Sequence, residues 1–325
     1  MDDIKTIEEF IKEQEEQYEK TKGKIENEKT YYDKRTWPEM KKFTRPFGGA
    51  IFRSSLWFGE FGGPHLSSTT YNGGGPLKLA VSPMKNWVWC LRDTIKEKPE
   101  WISKDIFKTT EEKKALEKTL EILERGVRVG EKLRVKSTKG MVEGVTWFIE
   151  ELKKMKEGEY ICMEAGWSSV VGHAVVYHVT RETKETYKFI CSNSGGGIAY
   201  HRSSRMKYPE ASSMPEYMIN NIPAERILNP AIWTLAFKIC KINSVHNKGS
   251  SLYQILFPLM AGERTLHEVL RDVKMDKHRG YHRPQMAGNC FYQCIVRASR
   301  YLLTTQGLNE THTKHIHYVV RRKFM

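Results

Sequence analysis

The sequence predicts an α+β fold: a helical N-terminal half, then a mostly antiparallel sheet with a Cys-bearing helix packed on it in the C-terminal half. Three observations predict it. Apolar residues recur at helical spacing between positions 86 and 156. Three β-rich segments separated by turn residues follow between 157 and 202. A last helical pattern begins after the Gly-Asn-Cys turn at 288–290. With 325 residues and eight Trp, the chain is long and aromatic enough to bury a sizeable core.

We expect the N-terminal half to consist of two regions. Residues 1–35 are dense in Glu and Lys and predict a solvated helix that docks through its first turns. Residues 36–156 combine a Gly- and aromatic-rich segment with helices, and we expect them to bind a substrate or partner. Within them, Thr109 or Thr110 is a candidate N-cap with Glu112 completing a capping box, and Gly126 is expected to end that helix. A second amphipathic helix is predicted from Gly140 onward.

Residues 157–325 are predicted to form an α+β domain with the features of a catalytic unit. The segment RETKE is a plausible hairpin loop between its second and third strands. Residues 203–230 are expected to be a connection, and 231–242 fit a strand as well as a helix. Another helix is expected to be interrupted at Pro258, and residues 290–305 predict the Cys-bearing helix. The last residues, HIHYVVRRKFM, fit a short strand or a helix.

The composition limits which classes of partner and which cellular compartment we expect. The net charge of +14 attracts polyanions and acidic protein surfaces, so nucleic acid is one partner class, although no Arg-rich tract or RNA-binding aromatic signature adds to it. No apolar run is long enough to span a membrane, and the N-terminus lacks the apolar core of a signal peptide. We therefore expect a cytoplasmic protein, with export as a secreted effector without a signal peptide as the alternative. The six scattered cysteines are expected to be reduced thiols.

Three sequence segments carry candidate catalytic residues. His173 opens a strongly apolar strand, and Asn193 ends the next one beside a glycine run. If the two strands form a hairpin, the start of one lies beside the end of the other, so His173 and Asn193 become neighbours. Cys290 stands at a helix N-terminus, with Gln285 five residues before it.

These residue types suit a thiol enzyme. A helix N-terminus stabilises a thiolate, and a neighbouring imidazole takes its proton. The Asn193 amide oxygen would orient the His173 ring, while the Gln285 amide and a backbone N–H near Cys290 would donate to an oxyanion. The sequence therefore predicts Cys290 as nucleophile, His173 as base and then acid, Asn193 as orienting residue and Gln285 as oxyanion donor.

This order of His, Asn, Gln and Cys resembles that of adenovirus-type and ubiquitin-like-protein-specific cysteine peptidases and of YopJ-like bacterial effectors. The resemblance covers residues 157–305 and rests on short motifs. Two features depart from the pattern: Ala174 stands where Trp usually follows the His, and 97 residues separate Asn193 from Cys290, which implies an insertion. The resemblance implies a Cys-dependent hydrolase of peptide or isopeptide bonds. Its substrate would be a protein, ubiquitin-like by analogy only.

Alternatives remain at the site. Cys294 lies one turn beyond Cys290, His201 follows the glycine run and could replace His173, and His282 could shape the cleft. His178 is expected to point to the opposite face of the strand. No cofactor or metal is expected, because the tail histidines His312, His315 and His317 have no Cys or paired carboxylate at ligand spacing.

Two other functions fit the same residues. A YopJ-like acetyltransferase would use the same triad, and its basic surface would suit a phosphorylated acyl carrier such as coenzyme A. A non-enzymatic nucleic-acid- or protein-binding module would rely on the positive charge alone.

Overall fold

The structure is a computed structural model that describes residues 83–100, 102, 104–167, 173–201, 214–241, 249–262, 264, 269 and 290–324. Its helices and its four-stranded antiparallel sheet confirm the α+β class. The expectations for residues 1–35 and for the glycine-rich segment up to residue 82 lie outside the described residues.

Eight α-helices are described. They are α1 (Pro83–Glu97), α2 (Thr110–Lys139), α3 (Met141–Lys153), α4 (Ala224–Ile227), α5 (Pro230–Lys241), α6 (Phe257–Ala261), α7 (Cys290–Thr305) and α8 (Glu310–Phe324). Short 3₁₀ turns occupy Lys104–Phe107 and Ile198–Tyr200, and a π-helical turn, Ser251–Leu256, leads into α6.

The sheet consists of β1 (Tyr160–Trp167), β2 (His173–Arg181), β3 (Thr186–Ser192) and β4 (Glu216–Pro223), in that spatial order. Every neighbouring pair is antiparallel. The predicted hairpin between β2 and β3 is confirmed, because Thr180 pairs with Lys188 and Arg181 with Tyr187 around a tight turn. The predicted neighbourhood of the β2 start and the β3 end follows from this register.

Each face of the sheet is covered by helices, so the described part of the chain has three layers. Odd-numbered β2 residues such as Val175 and Tyr177 lie in a core with α3, α5, α6 and the π-helical turn, which we call the first face. Even-numbered residues such as Ala174 and Val176 lie in a core with α1, α7 and α8, which we call the second face. This alternation is the period of two that a strand imposes.

Helix α2 contributes to the cores on both faces of the sheet. Its N-terminal half, with Leu116 and Leu123, lies in the core of the second face, while Val129 and Leu133 lie in that of the first. The helix passes β1, an edge strand, where a Cβ on Gly126 would lie 1.9 Å from the carbonyl oxygen of Cys162.

The prediction that Gly126 ends this helix is therefore wrong. The glycine permits a close approach between the helix and a strand backbone, and α2 continues to Lys139. The start of the helix was predicted correctly, since the Thr109 hydroxyl accepts a hydrogen bond from the backbone N–H of Glu112.

The connection expected over 203–230 also needs correction, because it contains β4 and α4. Strand β4 is an edge strand that follows Pro215 and ends at Pro223, and Asn221 has a φ of 53°. Prolines and polar residues are tolerated at an edge, where one side of the backbone makes no ladder. They obscured the strand pattern in the sequence.

Two ambiguous segments are helical. Residues 231–242 correspond to α5, and most of the C-terminal segment belongs to α8. The helix expected to break at Pro258 instead changes from π- to α-type hydrogen bonding at Phe257, with Pro258 in the first turn of α6. None of the described helices is both long and apolar enough to cross a bilayer.

Candidate active site

His173 and Asn193 meet on the first face of the sheet. His173 is the first residue of β2, and Asn193 directly follows the last residue of β3. The His173 Nε2 lies 2.7 Å from the Asn193 Oδ1, and both side chains are buried. The structure therefore brings together two of the four predicted site residues, although they are 20 positions apart in the chain.

Contacts with backbone groups identify which end of the Asn193 amide is the oxygen. The backbone N–H of Gly195 donates to Oδ1 over 3.0 Å, and Nδ2 donates to the carbonyl oxygen of Gly196 over 2.6 Å. An N–H can only donate and a carbonyl can only accept, so the amide oxygen must face His173. The His173 Nε2 is then the donor, and in the neutral ring Nδ1 carries the lone pair.

Trp167 and the glycine loop enclose the His173 ring. Trp167 pairs with His173 in the β1–β2 register, and the two ring centroids are 4.7 Å apart. A Cβ on Gly196 would lie 3.1 Å from the Trp167 ring and 3.6 Å from the His173 Cγ. A larger residue at 196 would therefore press on both rings.

His201 lies in the same network but is not arranged as a substitute base. Its Nδ1 donates to the carbonyl oxygen of Met214 over 2.8 Å, and its Nε2 lies 2.7 Å from the Tyr253 hydroxyl. Its side chain is 2% exposed, and burial lowers its pKa from 6.5 to about 3. Both ring nitrogens thus bond to groups in the core.

His178 lies on the second face, as predicted. It is fully buried, its Nε2 lies 3.0 Å from the Ser192 hydroxyl, and its ring packs edge-on against Tyr301 of α7. Burial lowers its pKa from 6.5 to about 3. It is separated from His173 by the sheet itself.

The Cys-bearing helix begins at the predicted residue, because Cys290 is the first residue of α7. The side chain of Cys290, together with Gln285 and His282, lies outside the described residues. Helix α7 packs on the second face, whereas the His173 side chain lies on the first. A contact between Cys290 and His173 therefore requires the start of α7 to reach the end of the sheet at which strand β2 begins, where side chains from the two faces can meet.

The other five cysteines are free thiols in the core: Cys90, Cys162, Cys191, Cys240 and Cys294. Burial raises the pKa of Cys162, Cys191 and Cys240 above the ordinary value for a thiol. Cys294, the rival nucleophile, is 1% exposed and faces the core of the second face.

The tail histidines have separate surroundings on α8. The His312 Nδ1 contacts the Glu112 carboxylate, His317 packs edge-on against Trp87, and His315 is exposed. Within the described ranges, no three or more His, Cys, Asp or Glu side chains are grouped to hold a metal ion.

The sequence did not indicate two neighbours of the site, Trp167 and Tyr253. Trp167 could have been found, because it and His173 flank a five-residue connection symmetrically and so pair across the hairpin. Tyr253 lies 60 positions from Asn193, and no local pattern points to it.

No protein-family model matches this chain, and searches of curated proteins and of solved structures gave no match.

Proposed function

We propose that this protein is a cysteine-dependent acyl-transfer enzyme that hydrolyses peptide or isopeptide bonds. Cys290 is the nucleophile, His173 the base and acid, Asn193 the orienting residue and Gln285 an oxyanion donor. The observation that carries the proposal is the hydrogen bond from His173 to the Asn193 amide oxygen, which the contacts of the amide with Gly195 and Gly196 identify.

That hydrogen bond matters because of what it does to the imidazole. With Nε2 donating to Asn193, the lone pair lies on Nδ1, so the neutral ring is a base on a defined atom. The Asn193 oxygen can also accept from the imidazolium that forms when His173 takes a proton.

The proposed reaction proceeds in two stages. The Cys290 sulfur, having passed its proton to His173, forms a bond to the substrate carbonyl carbon. The carbon–nitrogen bond then breaks, and the leaving amine takes the proton from His173. Water next gives a proton to His173 while its oxygen bonds to the thioester carbon. The carbon–sulfur bond then breaks, the acid leaves, and the Cys290 sulfur takes the proton back from His173.

Element lengths allow Cys290 and His173 to meet if α7 runs in the same direction as β2. Tyr301 lies against His178, with ring centroids 5.5 Å apart. Eleven helical residues before Tyr301 correspond to about 16 Å, and five strand residues before His178 also correspond to about 16 Å. In that orientation the first residues of the two elements, Cys290 and His173, lie at the same level along the strand direction.

A bifunctional reagent tests this proposal. We expect 1,3-dibromoacetone to join the Cys290 sulfur to the His173 ring in the folded full-length protein, with the linked peptides identified by mass spectrometry. Cys290 should also react with iodoacetamide at pH 6, where a thiol of ordinary pKa is well under 1% thiolate. Both reactions should be lost in His173→Gln, because the imidazole is what holds the proton of the thiol.

Two variants serve as controls for these reactions. Cys294→Ser removes a buried thiol of the same helix, and His178→Gln removes a buried imidazole of the same strand on the opposite face. Neither should change the labelling of Cys290. Labelling of Cys290 at an equal rate with and without His173, and the absence of a cross-link, would rule out the thiol–imidazole pair.

The substrate class follows from a second measurement. Ubiquitin-like proteins with a C-terminal electrophile should label Cys290, as expected for a peptidase that processes them. Turnover of acetyl-coenzyme A would instead indicate acetyl transfer. RNA or DNA binding with a steep salt dependence, unchanged in Cys290→Ala, would favour the non-enzymatic binding module.

A further inference from the structure

A chain of hydrogen bonds extends from Asn193 into the core of the first face. The Asn193 Nδ2 donates to the Tyr253 hydroxyl over 2.9 Å, and that hydroxyl lies 2.7 Å from the Nε2 of His201. The Nδ1 of His201 donates to the backbone carbonyl of Met214 over 2.8 Å. All three side chains are at most 2% exposed, so the chain is shielded from water.

The direction of every donor in this chain can be assigned. A carbonyl only accepts, so His201 Nδ1 carries a proton, and because burial keeps this ring neutral its Nε2 must accept. The Tyr253 hydroxyl therefore donates to His201 and accepts from Asn193. Every donor points away from His173.

The ring of Tyr253 is held from several sides. Tyr200 stacks on it with centroids 5.0 Å apart and an interplanar angle of 9°. Tyr217 and Phe257 pack against it in T-shaped arrangements, with ring centroids 5.5 and 5.0 Å from that of Tyr253. A Cβ on Gly197 would lie only 2.6 Å from the ring, so this glycine leaves the space that the tyrosine fills. The hydroxyl is thus presented in one place.

We propose that Tyr253 and His201 are positioning residues that hold the Asn193 amide, and through it the Nε2–H tautomer of His173. The backbone contacts of Asn193 satisfy only one of its two N–H groups, and Tyr253 satisfies the other. Because aligned hydrogen bonds polarise one another, the chain also makes the Asn193 oxygen a better acceptor for His173. The importance of this arrangement for catalysis rests on the proposed function.

The test compares Tyr253→Phe with Tyr200→Phe. Tyr253→Phe keeps the ring packing and removes the hydroxyl at the centre of the chain. Tyr200→Phe removes the hydroxyl of the ring stacked on it, which makes no hydrogen bond within the described residues. The ¹⁵N resonances of the two His173 ring nitrogens are measured in the full-length protein at a pH where the ring is neutral.

We expect Nε2 to be protonated and Nδ1 unprotonated in the wild type and in Tyr200→Phe. In Tyr253→Phe the two nitrogens should shift toward averaged values, because the second amide N–H has lost its acceptor. Iodoacetamide labelling of Cys290 should slow about three- to tenfold, the range that one net hydrogen bond corresponds to. Unchanged ¹⁵N resonances in Tyr253→Phe would overturn the positioning role.

A second pair of variants keeps the test valid if Tyr253→Phe unfolds. His201→Gln retains an amide that can accept from Tyr253, whereas His201→Leu cannot. The glutamine variant should preserve the His173 tautomer and the leucine variant should lose it, and equal behaviour of the two would contradict the proposal. Altered ¹⁵N resonances with unchanged Cys290 labelling would leave the positioning role standing and count against the proposed function.

Discussion

At the scale of single residues, Asn193 is the side chain whose chemistry its surroundings restrict most. Its two acceptor and two donor positions are all used, by His173, Gly195, Gly196 and Tyr253. The side chain is completely buried. A substitution that alters one end of the amide therefore leaves at least one buried partner without its hydrogen bond.

We predict that Asn193→Asp destabilises the fold. A carboxylate would keep the contacts of Oδ1, but its second oxygen would face the Gly196 carbonyl, which now accepts from Nδ2 over 2.6 Å. At pH 8, where an imidazole of ordinary pKa is neutral, the free energy of unfolding should fall by about 1–3 kcal/mol. Urea denaturation measures it.

Asn229→Asp is the matched control for this substitution. Asn229 is exposed, and its Oδ1 accepts from the backbone N–H of Ala231 in the first turn of α5. Aspartate keeps that acceptor, and its charge favours a helix N-terminus. Its stability should be unchanged or slightly higher, and an equal loss in both variants would show that the amide orientation of Asn193 has no particular role.

Part of the site could be predicted at this scale because strand pairing is a short-range rule. His173 and Asn193 flank one hairpin, so their contact follows from the turn between β2 and β3. Tyr253 reaches Asn193 from a π-helical turn through tertiary packing. Its place depends on how α5 and α6 cover the sheet, which no local pattern encodes.

At the scale of elements, two glycines of α2 have opposite roles. A Cβ on Gly126 would meet the Cys162 carbonyl, whereas a Cβ on Gly130 would meet nothing within 4 Å. In a helix interior an alanine is favoured over a glycine by about 1 kcal/mol. At Gly126 this preference for alanine is outweighed, because the added Cβ would clash with the carbonyl oxygen of Cys162.

We therefore predict effects of opposite sign on the free energy of unfolding. Gly126→Ala should lower it by about 1–3 kcal/mol, because α2 must move away from β1. Gly130→Ala should raise it by about 0.5–1 kcal/mol. Thermal or urea unfolding of the two variants measures both, and stabilisation by Gly126→Ala would show that the close approach of α2 and β1 is absent.

The same pair explains why element boundaries were harder to predict than elements. Local chemistry specified the start of α2, since Thr109 and Glu112, whose hydroxyl and N–H form the cap, are only three positions apart. Gly126 resembles a stop signal because glycine is common at helix ends. Its actual role, contact with a strand that begins 34 residues later, depends on the assembled sheet.

At the scale of the whole molecule, each face of the sheet buries a neutral histidine. His201 lies on the first face and His178 on the second, and burial lowers the pKa of each from 6.5 to about 3. Between these pH values the unfolded chain binds protons that the folded protein does not. The contribution of these two groups to the free energy of unfolding therefore decreases as the pH falls from about 6.5 toward 3, and it is constant above 6.5.

We predict that His178→Gln reduces this acid sensitivity. Between pH 7 and pH 5 the free energy of unfolding of the wild type should fall by about 2 kcal/mol more than that of the variant. Urea titrations at the two pH values measure the difference, which is independent of any change in stability at pH 7. Equal pH dependence in the two proteins would mean that His178 is solvated or charged in the folded state.

Because five thiols are buried, the rate at which each reacts with a thiol reagent reports how often the structure around it opens. In the native state any sulfhydryl that a reagent consumes quickly must belong to the sixth cysteine of the chain. The remaining equivalents can be consumed only as fast as the layers open. The first phase of one kinetic trace would thus report the reactivity of the sixth cysteine. The later phases would report the opening rates of the core around the buried thiols.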